Sequence, residues 1–164
     1  MKRIISLLLT SLILFSLGSC GRAPTYSDDK DCPALATNAL NALQRNEADY
    51  STADEYFLSD YFSTPSYVRD SVIRFASNSN NLDEFGIFHV SDGNAETMAE
   101  HLRDYLLKSY EKNRTWYDSY IPAETPKLRD AEIRIYGNYI VYAILQKDAK
   151  NALFQFMEEQ LKIQ

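Results

Sequence analysis

The sequence is poor in the residue types that usually mark a catalytic, redox or metal-binding protein. Its 164 residues include only two cysteines, two histidines and one tryptophan, with five glycines and five prolines. No cysteine pair has zinc-finger spacing and no histidine belongs to an HExxH motif, so no metal site is assigned. Scarce glycine and proline exclude a collagen-like or low-complexity chain, and 45% hydrophobic residues suffice for one globular domain.

Positive charge is also in short supply. Lysine and arginine total 17 against 23 acidic residues, which gives a net charge of -6. Proteins that bind nucleic acid need basic surfaces to neutralise phosphates, so no nucleic-acid partner is predicted. Nucleophile elbows, Walker A loops and dinucleotide fingerprints are absent as well. The sequence therefore predicts a protein that is not an enzyme, with no catalytic residue and no cofactor.

The N-terminus has the strongest pattern in the chain. Two cationic residues precede an apolar run over residues 4–17, which is shorter than the roughly 20 residues of a membrane-spanning helix. The run ends in the motif Leu17-Gly18-Ser19-Cys20. This motif resembles the lipobox of bacterial lipoproteins, which implies a signal peptide over residues 1–19 and a lipid on Cys20. An uncleaved signal anchor and a plain secretory signal are the alternatives.

Lipidation would place the protein at the cell membrane, anchored on the extracytoplasmic face of a host with one membrane or two. Residues 20–30 are small and polar, and they are expected to form a lipidated cysteine and a flexible tether. Residues 31–164 are expected to form a single domain. With Cys20 lipidated, Cys32 has no partner for a disulfide. We interpret Cys32 as a partly buried residue near a helix start, with a reactive thiol as the alternative.

Hydrophobic periodicity and turn signals predict alternating groups of helices and strands. The predicted helices cover residues 32–46, 50–62, 95 to about 114, and 149–161. The predicted strands cover residues 72–76, 82–90, 131–135 and 139–145. This order indicates an α+β fold with an antiparallel sheet of about four strands. The long helix and the C-terminal helix are expected to pack on one face of that sheet.

Three short landmarks in this order resemble a known family. Asp83 and Glu84 enter a strand, Tyr120-Ile121-Pro122 follows the long helix, and Gly137-Asn138-Tyr139 forms a hairpin. Their order and spacing are similar to those of domain-of-unknown-function family 4358, found in bacterial lipoproteins, mainly of Firmicutes. The likeness covers roughly residues 68–160. The family has no established activity, so the resemblance implies location and architecture only.

Tyrosine excess is the feature that burial explains least well. The chain has 12 tyrosines, and one aromatic cluster comprises Tyr110, Trp116, Tyr117 and Tyr120. Rings with an apolar face and a polar tip suit recognition surfaces as well as domain edges. We therefore assign this cluster as a possible binding surface for an envelope protein, peptide or glycan. The alternative is that these rings seal the rim of a small sheet.

Two polar features are expected to be structural. Asp83 and Glu84 are adjacent on a strand and point to opposite faces, so they cannot form a glycosidase pair by themselves. We expect them to flank the strand end or to meet a base such as Arg103 or Lys127. His89 is expected to be a hydrogen-bonded residue of a strand rather than a metal ligand.

These features favour a membrane-anchored, non-catalytic binding or interaction module. A cell-envelope hydrolase acting on glycan or peptide is the first alternative. A purely structural component of the envelope is the second.

The lipid anchor predicts the behaviour of a Cys20→Ala variant. Without the thiol that receives the lipid, the protein should fold as before and appear in the soluble fraction. Cell fractionation followed by immunoblotting measures the distribution. Membrane association equal to that of the unmodified protein would contradict the anchor.

Overall fold

The computed structural model describes residues 24–163, without the side chains of Asp60, Tyr61 and Tyr110. The predicted lipidation motif Leu17-Gly18-Ser19-Cys20 lies outside the described residues. The helices are α1 (Cys32–Ala42), α2 (Ala95–Tyr120), α3 (Thr125–Arg129) and α4 (Lys147–Leu161). The strands are β1 (Tyr50–Thr52), β2 (Val68–Ala76), β3 (Glu84–Val90), β4 (Glu132–Tyr136) and β5 (Tyr139–Ile144). A 3-10 turn (Glu47–Asp49) and a π-helical turn (Phe57–Tyr61) complete the elements.

The predicted α+β class is confirmed, with one strand more than expected. The described sheet has five strands in the order β1-β2-β3-β5-β4, and each neighbouring pair is antiparallel. The additional strand is β1, where a helix over 50–62 was predicted. Tyr50 pairs with Ala76, the last residue of β2. The backbone hydrogen bonds of this pairing outweigh the helical periodicity of the aromatic residues that predicted a helix there. Helical geometry begins only beyond Asp54.

The long helix and the C-terminal helix lie on opposite faces of the sheet, so their predicted placement on one face is wrong. Phe85 and Ile87 of β3 pack with α1 and α4. Phe88 and Val90 of the same strand pack with α2. Strands β3 and β5 have apolar side chains on both faces, and each face needs its own cover to exclude water.

Helix α2 is longer than predicted and ends just before Pro122. Its Leu102 is fully buried, while Leu107 is more than half exposed. Because the helix continues to Tyr120, the aromatic residues predicted to follow it are part of its last turns. Within the described part of the chain, no helix has both the length and the apolar character that crossing a bilayer requires.

Residues 25–30, predicted as part of a flexible tether, bind along one end of the sheet, and we call them the N-terminal clasp. The Ser27 amide donates to the Leu161 carbonyl at 2.7 Å, and the Ile163 amide donates to the Thr25 carbonyl at 2.8 Å. The Tyr26 ring packs edge-on against Tyr136 with centroids 5.6 Å apart. The clasp is ordered because Tyr26, an aromatic residue among small and polar ones, packs its ring against that of Tyr136.

Gly86 in the central strand has no room for a side chain. A Cβ atom there would lie 2.9 Å from the Phe88 ring and would collide with the Tyr142 ring. Gly86→Ala should therefore lower the free energy of unfolding by about 2 kcal/mol, because both rings are fully buried and closely packed. Urea denaturation measures the change. Gln155→Ala, on the exposed face of α4, should stay within about 0.5 kcal/mol; an equal effect of both variants would contradict this packing.

Candidate functional site

A cleft of about 910 Å³ opens at the end of the sheet where β3 begins. Helix α2 forms one wall from His101 to Tyr117, including Tyr105 and Trp116. The turn over residues 77–83 and the segment containing Phe57 and Phe62 form the other walls. Ligand pockets in proteins usually enclose about 300–1,000 Å³, so this cleft has room for a small organic molecule.

The carboxylate of Glu84 lies at the base of the cleft. Its Oε1 atom accepts a hydrogen bond from the Tyr105 hydroxyl at 3.1 Å and from the Tyr142 hydroxyl at 2.5 Å. Tyr105 comes from α2 and Tyr142 from β5, so the carboxylate joins the helix to the sheet. Side chains alternate along β3, and Glu84 therefore points to the same face as Phe88.

Burial and hydrogen bonding act in opposite directions on this carboxyl group. Removal from water raises the pKa of Glu84, while the two hydroxyl hydrogen bonds lower it by a smaller amount. Burial also raises the pKa of Tyr105 and Tyr142, and the nearby Glu84 charge raises both further. Both phenols therefore keep their protons and act as donors toward Glu84.

Aromatic rings form a continuous wall beside Glu84. Phe62 stacks on Phe88 with centroids 5.0 Å apart, and its edge meets Tyr105 at 5.2 Å. The ring nitrogen Nε2 of His101 lies 3.1 Å from the Phe62 carbonyl oxygen, which ties the loop to α2. This wall is held by packing on several elements, so its shape exists before any ligand binds.

The predicted aromatic surface is brought together at the end of α2. Trp116 and Tyr117 line the cleft, and Trp116 stacks on Tyr120 at 5.5 Å. Trp116 is 46% exposed and Tyr120 is 72% exposed, so neither ring seals the rim of the sheet. The side chain of Tyr110, the fourth predicted member, lies outside the described residues.

Two lysines give the helical wall of the cleft positive charge. Lys108 and Lys112 line the cleft one helical turn apart, and both are exposed. In the part of the chain that the structure describes, neither forms a salt bridge. Asp104, one turn earlier, lines the same wall. Two unpaired ammonium groups at this spacing can bind an anionic group of a ligand.

A buried ion cluster lies behind the turn that precedes β3. Lys127 Nζ donates to Asp83 Oδ1 and Glu124 Oε2, each at 2.6 Å, and to Asn81 Oδ1 at 3.0 Å. Asp83 also accepts from the Tyr50 hydroxyl at 3.0 Å. The predicted meeting of the acidic pair with Lys127 is confirmed for Asp83. The alternative base, Arg103, lines a separate small cavity of about 370 Å³.

His89 and Cys32 have structural positions at the other end of the sheet. His89 Nε2 lies 2.7 Å from Asp28 Oδ1, and its ring stacks on Tyr139 at 4.4 Å, which confirms the structural prediction. Cys32 is the first residue of α1 and is fully buried, more than expected. Burial raises its pKa far above the usual thiol value, so the reactive thiolate is disfavoured. No group of three potential metal ligands occurs among residues 24–163.

The long helix, the antiparallel sheet and the cleft between them define an α+β domain with a well-formed candidate binding site. The chain belongs to the family described as Domain of unknown function (DUF4358), whose profile matches residues 41–145. That match includes the whole cleft. Neither a curated protein nor a solved structure matches the chain.

Sequence patterns did not predict Glu84 as the centre of the site, nor Lys108 and Lys112 as its cations. The sequence did contain one indication of the role of Glu84. Glu84 shares a strand face with Gly86 and Phe88, and an acidic side chain at the start of such an apolar face needs buried hydrogen-bond donors. No local signal could identify the lysines, because the cleft depends on how a helix lies across the sheet.

Replacing Glu84 should change how stability depends on pH. Since the folded state raises the pKa of Glu84 above its usual 4.5, it holds a proton that the unfolded chain has already released. Stability therefore falls as pH rises from the ordinary value through the raised one. Glu84→Gln cannot ionise and still offers an oxygen to both hydroxyls. It should be more stable than the unmodified protein at pH 7, with a difference that shrinks toward pH 4.

Urea denaturation between pH 4 and pH 8 measures this effect. Glu111→Gln, on the exposed side of α2, is the matched control and should leave the pH profile unchanged. Parallel profiles for the two variants would show that the Glu84 carboxyl is not perturbed.

Proposed function

We propose that the protein is a lipid-anchored lipoprotein on the extracytoplasmic face of the membrane, and that its cleft binds a carboxylate-bearing glycan of the cell envelope. The lipidation motif ending in Cys20 supports the anchor. The observation that best supports binding is the cleft itself, in which aromatic rings, amides and two unpaired lysines surround one space.

The lining groups suit a sugar chain. Trp116 and Tyr117 offer ring faces to the apolar side of a sugar, while Asn78, Ser79 and Asn81 offer amides and a hydroxyl to its polar groups. The two lysines suit a carboxylate on the same ligand. Together these contacts favour a ligand that combines rings, hydroxyls and a negative charge.

A peptide in extended conformation fits the site less well. Such peptides commonly bind by adding a strand to a free sheet edge. The strands that border the cleft are β2, β3 and β5, and each already pairs with a strand on both sides. The cleft therefore offers side chains rather than unpaired strand backbone.

Hydrolysis of the glycan is a second candidate, supported by the raised pKa of Glu84. A carboxyl group that retains its proton can act as a general acid. Asp104 lines the same cleft and would supply the second carboxylate. Asp83 is bound by Lys127 and is unavailable for this role. Release of new reducing ends from a longer glycan, lost in Glu84→Gln, would establish hydrolysis.

Trp116 is the only tryptophan of the chain, so its fluorescence reports directly on the cleft. The probe is the disaccharide N-acetylglucosaminyl-N-acetylmuramic acid. N,N′-diacetylchitobiose, which lacks the carboxylate, is the matched neutral sugar. The acidic disaccharide should bind more tightly than the neutral one. The double variant Lys108→Ala/Lys112→Ala should weaken it about tenfold or more, because charge-assisted hydrogen bonds contribute about 1.5–3 kcal/mol.

The control is Lys147→Ala, an exposed lysine at the start of α4 on the other face of the sheet, which should leave affinity unchanged. Equal affinity for the two sugars would contradict the role of the lysines. Binding of an envelope peptide but of neither sugar would overturn the glycan proposal.

A further inference from the structure

The N-terminal clasp and the cleft lie at opposite ends of the sheet. Asp28 of the clasp contacts His89 near the end of β3, and it also accepts a hydrogen bond from Asn138 at 3.0 Å. The cleft instead begins at Glu84, the first residue of β3. Six residue steps separate Glu84 from Val90, which corresponds to about 20 Å along the strand.

Helix α2 extends this separation. It begins at Ala95, just after β3, and it runs back along the sheet, since Tyr105 reaches Glu84. From Ala95 to Trp116 there are 21 residue steps, or about 32 Å along a helix. Trp116 and the mouth of the cleft therefore lie far from the clasp, past the opposite end of the sheet.

The chain between the proposed anchor and the clasp is short. Only five residue steps separate Cys20 from Thr25, and a fully extended chain covers at most about 18 Å over that length. Thr25 itself is bound to the domain through Ile163, so the clasp cannot contribute its own length unless it detaches. This reach is smaller than the separation between the clasp and Trp116.

We propose that the clasp orients the anchored domain so that the cleft opens away from the bilayer, toward envelope polymer rather than toward the lipids of its own membrane. Inverting the domain, so that the last turns of α2 face the bilayer and the clasp lies uppermost, would lift Thr25 farther than the connecting chain can reach. The inference rests on the proposed anchor at Cys20. It adds to the proposed function the direction from which a ligand must arrive.

Quenching of tryptophan fluorescence by lipid-borne spin labels tests this orientation on the full-length lipidated protein in vesicles. The first protein has its native Trp116. The second combines Trp116→Phe with Ile163→Trp, which moves the only tryptophan to an exposed position beside the clasp. The tryptophan at position 163 should be quenched at least several-fold more strongly than Trp116. Releasing the clasp with Tyr26→Ala and Asp28→Ala should reduce that difference.

Co-sedimentation with the vesicles separates the possible failures. Protein that sediments with the vesicles but shows equal quenching at both positions overturns the orientation and leaves the anchor in place. Protein that does not sediment overturns the anchor and the orientation together. Neither outcome alters the result of the sugar titration, so failure of ligand binding remains distinguishable.

Discussion

The buried ion pair between Asp83 and Lys127 is the interaction on which the cleft end of the molecule depends. Both side chains are nearly inaccessible, with 2% and 6% exposure, so each charge needs the other. Lys127 also binds Glu124, whose Oε2 atom accepts from the Leu82 amide at 2.9 Å. The short helix α3 is thereby fixed to the turn before β3. Because Asp83 points toward Lys127 and adjacent residues of a strand point to opposite faces, the side chain of Glu84 points into the cleft.

Two-sided burial of β3 and β5 determines the layout around that site. Because both faces of these strands are apolar, α1 and α4 cover one and α2 covers the other. Helix α2 is far longer than the strands it covers, so its last turns project past the sheet. Those turns place Trp116 beside the cleft instead of in the core. The clasp occupies the opposite end, where Gly137 leaves space beside Tyr26.

Local patterns were sufficient to predict most elements but not their arrangement in space. Strand-forming residues and period-two alternation identified four of the strands, and the Gly137-Asn138 turn identified the hairpin. Lys127 was one of the two bases expected to meet the acidic pair. The assignment of the helices to faces failed because periodicity shows that an element has an apolar side without showing what covers it. β1 was missed because a three-residue strand depends on pairing with Ala76. Glu84 and the two lysines form one site only after α2 crosses the sheet.

The cleft between α2 and the sheet is the proposed ligand-binding site of this domain. Mapping amide and indole chemical shifts by NMR during titration with the acidic disaccharide tests that claim most directly. Shifts should concentrate on Phe62, Tyr105 and the Trp116 indole, with little change at the clasp or near Ile133. Shifts centred on the clasp, or on the small cavity beside Leu107 and Ile133, would contradict the account.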